Sequence, residues 1–355
     1  MPDTSRRGDK IGIALLDNIE EGLVSQAYTV FEITDTKTLL PEYLMMWFRR
    51  PEFDRYARYI SHGSVREIFG WEDMCDVKLP IPSINKQKEI VKEYNVLVDR
   101  IKLNNQLIQK LEETAQSIYN QWFVDFEFPD EEGKGYKSNG GEMVFSKELG
   151  KEIPKGWRPG TLDELIDVID GDRGNNYPSI DEMYDNGFCL FLNAGNVTKI
   201  GFDFSETKFI SKEKDKDLRK GKLKRNDVIL TSRGTVGNVA FYSDAIIFND
   251  IRINSGMVIM RAKDFLESTI FIYSMLRNAE IKKAIENYLS GSAQPQLPIK
   301  DLIKIPILIP EKVRIIKFSN STIMRQLYDD RLNNQNLKLN ELSDLLLSKL
   351  ATIEN

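Results

Sequence analysis

The chain has 355 residues, of which 41% are hydrophobic and 10% aromatic, enough to bury two or three cores and too many for global disorder. Its net charge of −5 argues against a uniformly basic nucleic-acid coat, although a local basic face remains open to it. No apolar run approaches the roughly 18–20 residues that a membrane-crossing helix needs, and residues 1–7 lack the apolar stretch of a secretory leader. Two cysteines, Cys75 and Cys189, cannot build a disulfide framework. A cytoplasmic protein without a membrane partner is expected.

In chain order, residues 1–76 read as an incomplete mixed module. Residues 77–126 are dominated by a long helix over 83–122, in which Tyr94, Leu97, Ile101, Asn104, Ile108, Leu111, Ala115, Ile118 and Trp122 recur in steps of three and four. That spacing keeps one stripe facing a partner helix, and a length of about 60 Å calls for a second long helix alongside. Residues 127–155, with "PDEEGKGYKSNGGEM", read as an exposed linker. A complete α/β module follows over 156–300. There "DVILTSRG" ends a β-rich run in a Gly turn, "VAFY" and "SGMVIMRA" are strand-like, and "FLESTIFIYSMLRN" is helical. The last stretch, 301–355, supplies the second long helix, with a stripe at Tyr328, Leu332, Gln335, Leu339, Leu342, Leu346 and Leu350.

The order of parts is thus written twice. "LNNQ" occurs at 103–106 and again at 332–335. Stepping backwards, "VKLPIP" (77–82) meets "IKIPIL" (303–308), and "SHGSVREI" (61–68) meets "LSGSAQPQL" (289–297). Further back, "YLMMWFRRPEF" (43–53) meets "FIYSMLRNAEI" (271–281), and "TSRRGDKIGIA" (4–14) meets "TSRGTVGNVA" (231–240). The offset stays between 226 and 229, which marks a tandem duplication. Residues 156–230 have no counterpart in the first copy. Asn104 and Gln335 are the polar members of the two stripes; a polar pair inside an apolar seam costs stability and fixes register.

Catalytic constellations are not found. One histidine, His62, leaves no His-based triad or multi-His metal site, and the cysteines have no CxxC spacing. A GxxxxGK[ST] phosphate loop is absent, as is an NPPF- or DPPY-like methyltransferase tetrapeptide. No metal and no cofactor are expected. What remains suits binding. In "TSRGTVGN", Arg233 with Ser232 and Thr235 sits on a turn that can offer a guanidinium to a base edge or phosphate; Arg6 and Arg7 hold the same place in the first copy. In "SGSAQPQL", Gln294 and Gln296 suit adenine edges while Ser290 and Ser292 suit phosphates. "NAGNVTK" adds Asn193, Asn196 and Lys199. Residues 208–225 carry nine Lys/Arg against three Asp/Glu, Lys222 and Lys224 among them.

These segments resemble the specificity subunit of a type I restriction–modification system over nearly the whole chain. The carriers are "DVKLPIPSINKQKEIV", "AQSIYNQWFVDFEF", "IPKGWRPGTLDELIDVIDG", "VILTSRGTVGNVAF" and "YLSGSAQPQLPIKDLIKIPI". The resemblance implies an α+β fold in which tandem α/β target recognition domains are each followed by a long helix, the two helices pairing as an antiparallel coiled coil. It implies a subunit without catalysis that reads a bipartite target in double-stranded DNA. The paired helices act as spacer and carry methyltransferase (M) subunits, to which restriction (R) motor-nuclease subunits add. The family's first recognition domain begins earlier than this chain does, so residues 1–76 are expected to form a truncated domain, either a fragment, an internal-start product or a recombined gene as it stands, or one that a second copy or a companion chain completes. The competing expectation is a coiled-coil adaptor whose modules bind proteins.

Overall fold

The structure is a computed structural model, and it describes residues 11–17, 20–26, 28–61, 69–291 and 295–353. The chain divides into two units, Met1–Leu103 with Lys338–Asn355, and Asn104–Leu337.

The first unit is helical among its described residues. Proline at the first turn starts both α1 (Pro41–Phe48) and α2 (Pro51–Ile60), where its missing N–H costs nothing and the residue before it is extended. The short α3 (Trp71–Cys75) follows, then the first part of the long α4 (Ile84–Tyr119). Tyr43, Met46, Phe48, Phe53, Phe69 and Tyr94 share one core with Leu347 and Leu350 from the last helix of the chain. Gln87 is fully buried and fully used. Its amide nitrogen donates to the carbonyls of Thr38 and Pro82, both at 2.8 Å, and its oxygen accepts from the Leu40 N–H at 2.9 Å. That arrangement ties the approach to α1 onto the start of α4.

In the second unit α4 runs on into a π turn over Asn120–Val124. The stretch that composition reads as an exposed linker holds a hairpin, β1 (Met143–Ser146) with β2 (Lys151–Pro154). Three aromatics anchor it to the core: Phe128 stacks on Tyr136 at 4.5 Å and on Trp157 at 5.1 Å. A polar-rich composition conceals those few large apolar contacts, each of which buries much area. The chain then gives β3 (Arg158–Thr161), β4 (Ile166–Asp170), β5 (Cys189–Leu192), β6 (Val197–Thr198), β7 (Gly201–Phe202) and β8 (Phe209–Ile210). After α5 (Lys212–Asp217) come β9 (Val228–Thr231), β10 (Val239–Phe241), β11 (Ile251–Ile253) and β12 (Met257–Ala262). Last are α6 (Glu267–Arg277), α7 (Ala279–Glu286), α8 (Ile299–Leu302), β13 (Pro306–Ile309) and α9 (Lys312–Lys349).

The central sheet has the order β10-β9-β12-β4 and is antiparallel throughout. Successive side chains of a strand point to opposite faces. Val228, Leu230, Val258 and Met260 enter one core with α6, while Ile229, Met257 and Ile259 enter another with the β5–β11 sheet. Both faces are covered, so these strands read as unbroken apolar runs rather than alternating ones. β11 pairs parallel with β5, and β8 completes that sheet.

The two long helices run antiparallel within the second unit. Asn104 lies opposite Gln335 and Asn336, while Tyr119 meets Phe318 with ring centroids 6.0 Å apart. Asn104, only 1% exposed, donates to Gln335 Oε1 at 3.0 Å and to Asn336 Oδ1 at 2.8 Å; Asn336 donates in turn to Asn105 Oδ1 at 2.8 Å. The stripe expected on α4 is buried or half-buried at every position. On α9 the expected stripe is only partly the one observed. Leu332 and Leu350 are buried and Leu339 and Leu346 half-buried, but Tyr328, Gln335 and Leu342 are exposed, and a second buried row runs through Thr322, Asp329, Asn336 and Ser343. The reason is that α9 also packs against the mixed α/β part of the unit. Ser319 donates to the Glu267 carbonyl, Asn334 to the Ala245 carbonyl, and Ser243 to Asp330. A helix with partners on two sides shows no single apolar stripe.

Asp329 and Asp330 are buried side by side on α9. Burial, reinforced by Asp330 and Glu112 and opposed by Arg277, pushes the Asp329 carboxyl up to about 8. Burial pushes Asp330 up to about 6 against hydrogen bonds from Ser243 and Gln326. The folded state therefore holds protons that an unfolded carboxyl, with an ordinary value of 3.8, has released. Stability from this pair is full below about pH 4 and is lost as the pH rises toward 8. Denaturant unfolding between pH 5 and 9 is expected to show that loss, and Asp329→Asn to flatten the profile. Asn104→Ala, which strips the buried Asn336 oxygen of its donor, is expected to lower unfolding free energy by about 1–3 kcal/mol in the same assay.

Candidate nucleic-acid interface

Strand polarity gathers five loops at one end of the central sheet. Thr231 at the end of β9 pairs with Met257 at the start of β12, and Asp170 at the end of β4 pairs with Val258. β11 leads into β12 through 254–256, and the Asn254 N–H donates to the Leu192 carbonyl at the end of β5, 3.1 Å away. The segments 171–177, 193–196, 232–238 and 254–256 thus emerge together. A fifth, around Ser290 and Gln296, joins them through main-chain bonds. Ser290 and Gln296 exchange N–H···O bonds of 2.9 Å in both directions, the Leu297 N–H donates to the Ser232 carbonyl at 2.9 Å, and Arg233 bridges Gln296.

The 231–238 loop is closed by its own threonine. The Thr231 hydroxyl donates to the Thr235 carbonyl and accepts from the Asn238 N–H at 3.0 Å. The N–H groups of Ser232 and Arg233 both donate to the Gly256 carbonyl, at 2.8 and 3.1 Å. The backbone of Arg233 is thus fixed, while its side chain is half-exposed beside exposed Thr235. Gly171 is the tightest point of the platform. A Cβ there would lie 2.1 Å from the Asn254 carbonyl oxygen, a clash with main chain that no side-chain movement relieves.

Of the residues singled out in the sequence, Asn193, Ser232, Arg233, Thr235, Ser290 and Gln296 meet at this end. Ser232 is buried, and its recorded role is through its backbone. Asn196 is also buried and structural. It donates to the carbonyls of Asp203 and Glu206 and accepts from the Asn193 N–H, while Asn193 caps the short turn that follows it. Lys199 is exposed, and its carbonyl takes a bond from the buried Arg277. Lys222 is held by Asp215 at 2.9 Å and Asp250 at 2.8 Å. Lys224 is exposed at the opposite end of the sheet, where its N–H binds Asp227 just before β9. Arg6, Arg7, Ser292 and Gln294 lie outside the described residues.

The basic run 208–225 is partly spent internally. Lys208 pairs with Asp185 and Lys214 with Glu182, while Arg225 donates to the carbonyls of Ser243, Ile246 and Phe248. Sequence reasoning missed the 171–176 loop, whose exposed Arg173, Asn175 and Asn176 share the platform. The signal was present: "VIDGDRGN" ends a β run in a polar–Arg–Gly turn, as "ILTSRGTV" does.

Gly171→Ala is expected to destabilise the second unit by about 1–3 kcal/mol through overpacking, read as a lower melting temperature of the full chain.

A family profile described as type I restriction modification DNA specificity domain matches residues 5–113 and 154–343. The chain is 27% identical over 319 residues to the type I restriction enzyme MjaIX specificity subunit of Methanocaldococcus jannaschii, covering 88% of this chain and 68% of that one. It is 23% identical over 401 residues to the type I restriction enzyme HindI specificity subunit of Haemophilus influenzae, covering 95% and 82%. Among solved structures, a type I restriction–modification S subunit from M. genitalium aligns with a TM-score of 0.49 at 15% identity, over 91% of this chain and 75% of that one.

Proposed function

Because this chain belongs to the type I restriction modification DNA specificity family, we propose that it is the subunit through which such a system reads duplex DNA. It has no catalytic task of its own in this reading, and its target is split into two parts. The methyltransferase and restriction subunits are separate chains that it assembles.

The observation that carries the reading is the convergence of the 171–177, 193–196, 232–238 and 254–256 segments, with Ser290 and Gln296, at one sheet end. The described backbones are fixed by strand register and main-chain bonds; Arg173, Asn175, Asn176 and Asn193 are exposed, and Arg233 and Gln296 half-exposed. Such groups make two-point hydrogen bonds to base edges, and fixed backbones reduce the ordering cost of doing so. Arg233 and Gln296, paired across adjacent loops, are the foremost candidates for base contact.

The test is binding of the full chain, with and without methyltransferase subunits, to a pool of random-sequence duplexes and to duplexes selected from it. Affinity is expected to fall steeply with salt and to depend on sequence. A coiled-coil adaptor would show neither. Arg233→Ala is expected to weaken the selected duplex by about 1–3 kcal/mol and to relax preference at one position; an unchanged affinity removes Arg233 from the contact set.

A further inference from the structure

Beside the reading loops lies a second feature, built around a buried carboxylate. Asp172 is 6% exposed, and its partners are main-chain N–H groups from two loops. Oδ1 accepts from Arg173 at 2.8 Å, and Oδ2 accepts from Arg219 at 2.5 Å and Lys220 at 3.4 Å. Burial pushes this carboxyl up, but the N–H donors, led by Arg219, outweigh it and hold the group below its usual range. It is therefore charged at neutral pH, and it pins residues 219–220 against residues 171–173.

The rest of the contact is backbone on backbone. Gly221 has φ +83°, a conformation that side chains rarely adopt, and a Cβ on it would sit 3.3 Å from the Gly171 Cα. The Ile253 N–H donates to the Gly221 carbonyl at 2.9 Å, and the Arg252 guanidinium donates to the Lys220 carbonyl at 2.7 Å. Asn176 adds a bond to the Asp217 carbonyl at 3.0 Å. Arg173 is directed the other way, with Nη2 3.1 Å from Asp170 and 3.4 Å from the Ser255 carbonyl on the reading platform.

This construction spends a buried charge to fix a loop whose outward side chains, Arg219 and Lys220, are both exposed cations. They differ from Lys208, Lys214 and Lys222 of the same basic run, whose ammonium groups are paired with carboxylates. A stable core needs no such pair at its rim. We propose that Arg219 and Lys220, positioned by Asp172, form a phosphate-gripping shoulder at the flank of the reading loops, taking backbone phosphodiesters of the duplex whose bases the neighbouring loops read. Arg219 and Lys220 touch the ligand; Asp172 is a positioning residue. The proposal rests on the DNA-reading function and adds to it the contacts that set orientation and affinity without setting sequence.

The experiment uses the full chain and the same random and selected duplex pools, with titrations across a salt series. Arg219→Ala/Lys220→Ala is expected to weaken both pools by the same factor. It should also make the slope of log K against log salt shallower by about 2, roughly one unit per lost phosphate contact. The ratio of selected to random binding is expected to stay constant. Arg219→Lys/Lys220→Arg keeps both charges and is expected to restore the slope. Asp172→Asn, which replaces one acceptor oxygen with a donor, is expected to make the slope shallower although it leaves both cations in place. A purely structural role would change the melting temperature alone. If the wild-type chain binds with salt and sequence dependence while the double alanine variant keeps its affinity and slope, the shoulder is wrong and the reading function stands. A loss confined to the selected pool overturns it too, because the residues would then be base readers. A wild-type chain indifferent to salt and sequence overturns both.

Discussion

The register of one antiparallel sheet governs everything that the candidate interface can do. β9, β12 and β4 are locked with Thr231 opposite Met257 and Val258 opposite Asp170. The register is itself over-determined, because alternate side chains of β9 and β12 belong to two different cores. A slip of one residue would exchange Val228 and Leu230 with Ile229 and drive each into the wrong face. Fixing the strand ends in this way places the 171–177, 232–238 and 254–256 loops, and main-chain bonds from Asn254 to Leu192 and from Leu297 to Ser232 bring the other two beside them. The site is a property of the sheet edge more than of any single loop.

Much of this was legible in the sequence, and the failures have physical causes. The tandem order, the long helices and the burial of Asn104 follow from periodicity, which sequence reports directly, whereas its buried partner is Asn336 and Gln335 is exposed. The stripe on α9 could not be read the same way. Apolar spacing identifies a face only when there is one partner, and α9 has a module on one side and a helix on another. The hairpin and aromatic anchors within 127–155 were masked by a polar-rich composition. Among site residues, a loop could be recognised where Arg lies between small residues after an apolar run. What those residues do inside the loop could not be. Asn196 looks like a reader and is a buried brace; Lys222 looks like a phosphate ligand and is held between two carboxylates. Distinguishing a spent cation from an available one needs knowledge of which acids lie nearby in space, and Asp185, Glu182 and Asp250 are distant in sequence from the lysines they neutralise.

Buried charge is used in two opposite ways in this unit. Arg277 is deeply buried yet satisfied, with Glu112 2.8 Å away and the Lys199 carbonyl at 2.9 Å, so it ties α6 to α4 and to the loop after β6. Asp329 is almost as deeply buried, and its Oδ1 has no hydrogen-bond partner. A carboxyl in that position is cheaper neutral than charged. The paired cation thus joins α6 to α4, while the carboxyl raised by burial lies on α9.

The bonds that hold the platform loops to one another are made by main-chain atoms: Ser232 and Arg233 to Gly256, Leu297 to Ser232, and Ser290 with Gln296. None of them requires a particular side chain at 233, 235 or 296. Substitution at those places therefore alters the chemistry of the surface and leaves the bonds beneath it intact, so that the outer face can vary in single steps while each intermediate keeps its fold.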